Sequence, residues 1–284
     1  MANQPQSPRQ VMGDIPPKAE APKLVIEMSF LDHLEELRWR ILKGMSGFLV
    51  GLVVAFVFSE FFIDEILLGP AKADFFIYGW LGLDAVDLVL QNRTLPGQFF
   101  SYWGTLFVVG LIIGSPIFFY QMWSFLEPAL EQNEKKSSTL VVTAITAMFT
   151  LGLMFGYLIL TPFALQFFAT FQLSDAVRND FDISAYFSSL TMWTLSSGLI
   201  FQLPIISYSL SRIGLLTPEF LRKYRRVAIV IFLIVAAFLT PPDPISQILM
   251  AIPLIGLYEV GIWISAITVK RRNREIWGKD GAPS

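Results

Sequence analysis

At 284 residues, 54% of them hydrophobic and 14% aromatic, with a mean hydropathy of +0.57, the chain lies far from the composition of soluble domains, so its main solvent is lipid. Charged residues amount to 15% and the net charge is −2, which excludes a broadly basic nucleic-acid surface. With no cysteine, the chain has no disulfide, no thiolate nucleophile and no cysteine metal site.

Residues 1–27 are polar, rich in Pro, Gln and Ala, and lack an apolar core, which predicts a disordered tail and not a cleavable secretory signal. From Met28 to Lys43, Leu31, Leu34, Ile41 and Leu42 recur at helical spacing behind a capping-box-like start at Ser29 and Asp32. This predicts an amphipathic helix leading into the membrane, its polar side carrying Glu35, Glu36, Arg38 and Arg40. A first span, Gly44 to Ile63, is followed by a long polar loop to Gln98 that contains Asp64, Glu65, Asp74, Asp84 and Asp87, where short surface helices are predicted. Charge-free stretches then give a second span within Phe99 to Leu126, a third within Ser137 to Phe168 and a fourth within Ile183 to Leu210, each longer than the ~18 residues that signal a crossing. The last two differ. Val227 to Pro242 has only 16 uncharged residues, and Pro244 to Val269 is interrupted by Pro253 and Glu259, so both are predicted to be short, with a sharp turn from Thr240 to Pro244.

The fold class is therefore an all-α integral membrane protein with six transmembrane helices, two of them short, over residues 28–270, and a cytoplasmic tail over 271–284. Pro116, Pro162, Pro204 and Pro253 are predicted to kink their helices into a concave wall, leaving backbone carbonyls that neighbours or water must satisfy. Of the 21 Lys and Arg residues, eighteen fall on the side of the two termini, and only Lys72, Arg93 and Arg178 on the other. The positive-inside rule then places both termini in the cytoplasm. Arg225–Arg226 and Arg271–Arg272 flank spans and read as topology anchors.

An intramembrane enzyme is excluded by inventory. The single histidine, His33, precedes the first span, so no Ser–His dyad forms in the membrane; HExxH and GxSxG are absent, and the one Gly–Lys pair, Gly278–Lys279, is followed by Asp280 and not by Ser or Thr. No metal or other cofactor is predicted. Work must come from a partner or from the membrane potential, worth ~2.3 kcal/mol per charge per 100 mV. Small-xxx-small pairs at Gly47 and Gly51, Gly110 and Gly114, and Gly152 and Gly156 predict close helix approach, within the monomer in preference to a dimer. Glu60, Gln121, Gln202, Gln247 and Glu259 are the polar groups at membrane depth, and Gln202, between Phe201 and Leu203, invites a partner helix. Glu36 and Glu134 are carboxylates in Lys/Arg-rich surroundings: ordinary surface charges, or a recognition pair.

Three strings, FLDHLEELRWRIL at Phe30 to Leu42, SPIFFYQMWSFLEPALEQNEKK at Ser115 to Lys136 and FLTPPDPISQILMAIPLIGLYEVGIW at Phe238 to Trp263, resemble the TatC family, and the likeness runs from about residue 29 to 270. The resemblance implies a core receptor of the twin-arginine translocation system in the bacterial inner membrane. Such a receptor binds the signal peptides of folded cargo, recruits single-span TatA- and TatB-type subunits, self-associates in a larger complex, and supports export driven by the proton motive force. It implies that Glu36 and Glu134 receive the two arginines, that Arg38, Phe125 and Pro128 shape the site, and that Pro70 acts indirectly from the outer loop. The fourth-span polar residue of the family is often Glu where this chain has Gln202, and Asp243 and Gln247 match a further patch for partner helices. The other class compatible with kinked helices, a secondary transporter or channel, is disfavoured by the lack of repeated halves and of several midplane ionisable groups.

Overall fold

The computed structural model describes residues 30–126, 138–174, 176, 179–239 and 244–277. Helix α1, Phe30–Val57, fuses the amphipathic segment and the first span into one helix. It continues through α2, Ser59–Phe61, into a π-helical turn, Phe62–Leu67, and a 3-10 turn, Gly69–Ala71. The loop adds α3, Phe76–Leu81, which stops at Gly82 in the left-handed region (φ 66°) where a side chain would be strained. Helix α4, Gly97–Leu126, is the second span. The third is α5, Ser138–Phe155, a π-helical segment, Gly156–Leu160, and α6, Thr161–Thr170. The fourth is α7, Ile183–Ile200, and α8, Leu203–Arg212. After a short α9, Pro218–Lys223, come α10, Arg225–Leu239, and α11, Pro244–Trp277.

Five segments among the described residues are long and apolar enough to cross a bilayer, namely Leu34–Val57, Gly97–Phe125, Thr139–Thr170, Ile183–Arg212 and Gln247–Arg274. The sixth span is α10. Its 15 residues make about 22 Å of helix against a ~30 Å hydrocarbon core, the shortness read from the sequence. Helix α11 departs from expectation, because it runs through Pro253 and Glu259 as one 34-residue helix of about 51 Å. Two packings hold it. Toward Pro244 it pairs with α10 through Gln247 Nε2, which donates to Leu233 O (3.2 Å), and through Phe232 against Tyr258. Further on it packs against α8, where Ser211 Oγ donates to Ser265 Oγ (2.7 Å) and Gly261 faces Ser207.

The other prolines sit within or at the starts of helices, and α4 runs unbroken through Pro116. Pro116 cannot donate to Ile112 O, and Ser115 Oγ donates there instead (2.7 Å). Pro162 follows the π-helical segment, where Thr161 Oγ1 donates to Gly156 O (2.8 Å). Pro204 opens α8 after a break at Phe201–Gln202.

The glycine pairs are used inside the monomer. The most extensive helix contact is between α1 and α4. There, a Cβ on Gly51 would lie 2.2 Å from Gly110 O, one on Gly47 3.0 Å from Gly114 O, and one on Gly44 3.0 Å from the Phe118 ring. Gly152 and Gly156 press in the same way on Ser197, Gly198 and Thr194 of α7. The larger core cluster gathers Leu160, Leu165, Tyr186, Leu190, Trp193 and Leu254 around α7, and a smaller one forms around Trp123, Val141 and Ile145. The distal end of the bundle carries the loop 64–96, and the proximal end holds the start of α1 and the end of α11.

Candidate functional site

The proximal end carries those predicted recognition residues that lie among the described ones, Glu36, Arg38 and Phe125. Glu36 lies in the first turns of α1, and Arg40 sits one turn on, where an i,i+4 pair faces the same side. Arg40 Nε and Nη2 both donate to Glu36 Oε1, at 2.9 and 2.6 Å, and the two side chains are 24% and 23% exposed. Sequence reasoning named both residues and missed the pairing, although the spacing was the available signal. Arg38 points elsewhere and is exposed. The α1–α4 register, Gly51 on Gly110, Gly47 on Gly114 and Gly44 on Phe118, continued turn by turn toward the proximal end, brings Glu36 level with half-buried Phe125. Pro128 and Glu134 lie outside the described residues, as does Asp243.

A carboxylate already holding a guanidinium has the geometry that recognition of another guanidinium requires. Because the pair is only partly shielded, it is worth about 0.3–1 kcal/mol, so exchanging Arg40 for a second guanidinium costs little. A second charge pair ties α10 to α11. Arg225 Nε reaches Glu259 Oε1 at 2.8 Å and Nη2 donates to Oε2 at 2.8 Å, a bidentate contact with the partners 47% and 44% exposed. Glu259 is therefore a structural pair at the start of the short helix.

Gln202, expected to be an unpaired group awaiting a partner helix, is engaged within the chain. It lies in the break between α7 and α8, and its Nε2 donates to Ile145 O of α5 (3.1 Å). Gln247 is likewise committed to Leu233 O. Pro70 is buried at the distal end in a device that sequence patterns did not reveal. Three tyrosine hydroxyls donate to backbone carbonyls left open where the first span ends: Tyr157 to Ile66 O (2.6 Å), Tyr186 to Leu67 O (2.7 Å) and Tyr78 to Pro70 O. Burial pushes the Tyr78 hydroxyl up to about 12, so it remains a proton donor. Two-residue strands β1, Leu90–Gln91, and β2, Phe181–Asp182, pair in parallel nearby. Asp182 caps α7, accepting from Ser184 N (2.9 Å), Ala185 N (3.2 Å) and Arg93 N (3.1 Å); the bond from Arg93, with the others, lowers its carboxyl below the usual value.

Long apolar helices, the amides of Gln202 and Gln247 each bonded to a carbonyl of a neighbouring helix, and charge pairs on α1 and between α10 and α11 define a multi-pass helical membrane protein. The family described as Sec-independent protein translocase protein (TatC) matches residues 32–253, and the chain belongs to that family. It is 38% identical over 260 residues to the Sec-independent protein translocase protein TatC of Blattabacterium sp. subsp. Periplaneta americana, covering 87% of this chain and 98% of that one. It is 32% identical to TatCy of Bacillus subtilis, covering 88% and 93%. A crystal structure of the twin-arginine translocase receptor TatC superposes with a TM-score of 0.67 at 32% identity, over 83% of this chain and 99% of that one. A second, of the same receptor in DDM, gives 0.68 at 33% identity, over 82% and 99%. The chain is thus a protein-transport subunit of the translocase, embedded in a membrane by several helices.

Proposed function

We propose that this chain is the receptor that takes the paired arginines of twin-arginine signal peptides at the cytoplasmic face of the bacterial inner membrane. The proximal end then faces the cytoplasm with both termini. Glu36 and Glu134 clamp the two guanidiniums, while Arg38, Phe125 and Pro128 shape the approach. TatA- and TatB-type single-span subunits dock beside Gln202, Asp243 and Gln247, with self-association completing the export complex, and Pro70 acts indirectly by fixing the distal end. Export is driven by the proton motive force.

The observation that carries this reading is the Glu36–Arg40 pair, a carboxylate held at the water's edge with a resident guanidinium that an arriving one can displace. One such exchange is nearly neutral in free energy. Net affinity and the preference for Arg over Lys must therefore come from the second carboxylate and from planar, bidentate contacts that an ammonium cannot make.

The test is crosslinking, in membranes, of a twin-arginine signal peptide and its twin-lysine version to wild type, Glu36→Gln, Glu134→Gln and the double variant. The clamp requires the arginine peptide to bind more strongly, each single variant to lose most of that preference, and the double variant to lose little more. Wild-type binding by both single variants would sink it. Gln202→Leu should separately weaken copurification of a single-span subunit, and an unchanged complex would remove Gln202 from the docking site.

A further inference from the structure

We propose that the cleft between α8 and α11 at the proximal end is a binding site for the phosphate headgroup of an anionic phospholipid. The cleft, of about 150 Å³, is lined by Tyr208 and Arg212 of α8 and by Ile264, Ile267, Thr268 and Arg271 of α11. Among the described residues that line it, none is acidic.

The lining is graded. On α11 the four residues fall at i, i+3, i+4 and i+7, one stripe of the helix, and along that stripe the chemistry passes from two isoleucines to a hydroxyl to a guanidinium. On α8 the step from Tyr208 to Arg212 is one helical turn, from an aromatic ring to a guanidinium. Both walls thus change from apolar to cationic in the same direction, toward the proximal end. That is the order of groups in a phospholipid entering from the bilayer, acyl ester first and phosphate beyond it. A free phosphate would have no use for the isoleucine half.

The cationic rim is built into the fold. Arg212 is only 8% exposed and occupies the last turn of α8, where the helix dipole favours a positive charge. Tyr208 is fixed by stacking on Trp123, with ring centroids 6.2 Å apart. The neighbouring Arg272 is turned away from the cleft onto the end of α8, where Nη1 donates to Ser211 O (3.3 Å). It fits there because residue 214 is a glycine with φ 84°; a Cβ would lie 2.3 Å from that same Nη1. With Arg272 held back, exposed Arg271 is the α11 guanidinium that lines the cleft. Basic clefts between spanning helices on the inner side are the usual setting for anionic headgroup recognition.

The full chain, purified in detergent, is titrated with dioleoylphosphatidylglycerol, dioleoylphosphatidylcholine or inorganic phosphate, and retained lipid is read by native mass spectrometry alongside the unfolding midpoint. Phosphatidylglycerol should be retained and raise the midpoint, and the other two should do neither. Arg271→Gln should lower phosphatidylglycerol occupancy about fivefold, the effect of one surface guanidinium. Arg274→Gln, exposed on the same helix outside the cleft, should leave it unchanged. Equal losses in the two variants would mean diffuse surface attraction and overturn the site. Unchanged occupancy in Arg271→Gln would overturn it as well, and stabilisation by inorganic phosphate equal to that by the lipid would overturn the lipid assignment.

Discussion

The two ends of the helix bundle solve different electrostatic problems with different groups. At the distal end the first span stops inside the protein, and its open carbonyls are met by neutral donors, the hydroxyls of Tyr78, Tyr157 and Tyr186. At the proximal end two charge pairs, Glu36 with Arg40 and Arg225 with Glu259, are left partly in water beside the buried Ser211–Ser265 bond, whereas at the distal end Arg93 lies beside Asp180 and Asp182. The energies explain the division. Orphaning a buried carbonyl costs about 1–3 kcal/mol, so the buried bonds of Tyr78 and Tyr186 are costly to break, while that of Tyr157 is exposed. A partly exposed ion pair contributes about 0–1 kcal/mol, so the Glu36–Arg40 pair costs little to open, while the bidentate Arg225–Glu259 pair ties α10 to α11.

The glycine seam of α1 on α4 joins these two ends, and breaking it should have the largest effect. Gly51→Ala puts a methyl 2.2 Å from the Gly110 carbonyl, backbone against backbone, with no side chain able to yield. A loss of about 3 kcal/mol is expected, read by thermal unfolding in detergent, together with loss of signal-peptide binding as Glu36 leaves the level of Phe125. A variant as stable as wild type would mean that the helices separate without cost.

Tyr186→Phe tests the distal end alone. Removing its hydroxyl leaves Leu67 O without its donor in a buried place, and the unfolding midpoint should fall by the equivalent of about 1–3 kcal/mol while peptide affinity is retained. Loss of peptide binding at unchanged stability would invert the proposed division of labour.

Arg40→Gln sharpens the comparison from the other side. Without its resident guanidinium Glu36 no longer has to exchange partners, so twin-arginine peptide should bind about two- to fivefold more tightly, with stability changed by less than about 0.5 kcal/mol. Weaker binding would make Arg40 part of the receptor surface and not a competitor.

The smallest effect concerns the α7 cap. The Asp182 carboxyl sits below its ordinary 3.8, chiefly through the bond from Arg93 N, so the folded state prefers the ionised form. Its contribution is complete above that ordinary value and is lost as pH falls through the lowered one. Amide protection at Ser184 and Ala185, corrected for intrinsic exchange, should therefore hold at pH 5 and drop only well below pH 4. A decline between pH 6 and 5 would point to another group.

Hydrophobic runs, proline positions and the asymmetry of Lys and Arg determined six spans, the shortness of α10 and the small-residue seams, because lipid forces the backbone to satisfy itself locally and so writes span boundaries into composition. The strings around Glu36 and Phe125 marked the proposed site residues by family likeness. Which groups pair was decided only in three dimensions. Glu36 takes Arg40 in preference to solvent, Gln202 spends its amide on Ile145 O, and α11 stays whole past Pro253 because α8 and α10 each hold part of it. The tyrosine clasp was least legible of all. Its donors and acceptors lie as much as 119 residues apart, and a tyrosine in an apolar run carries no mark of the distant carbonyl it will meet.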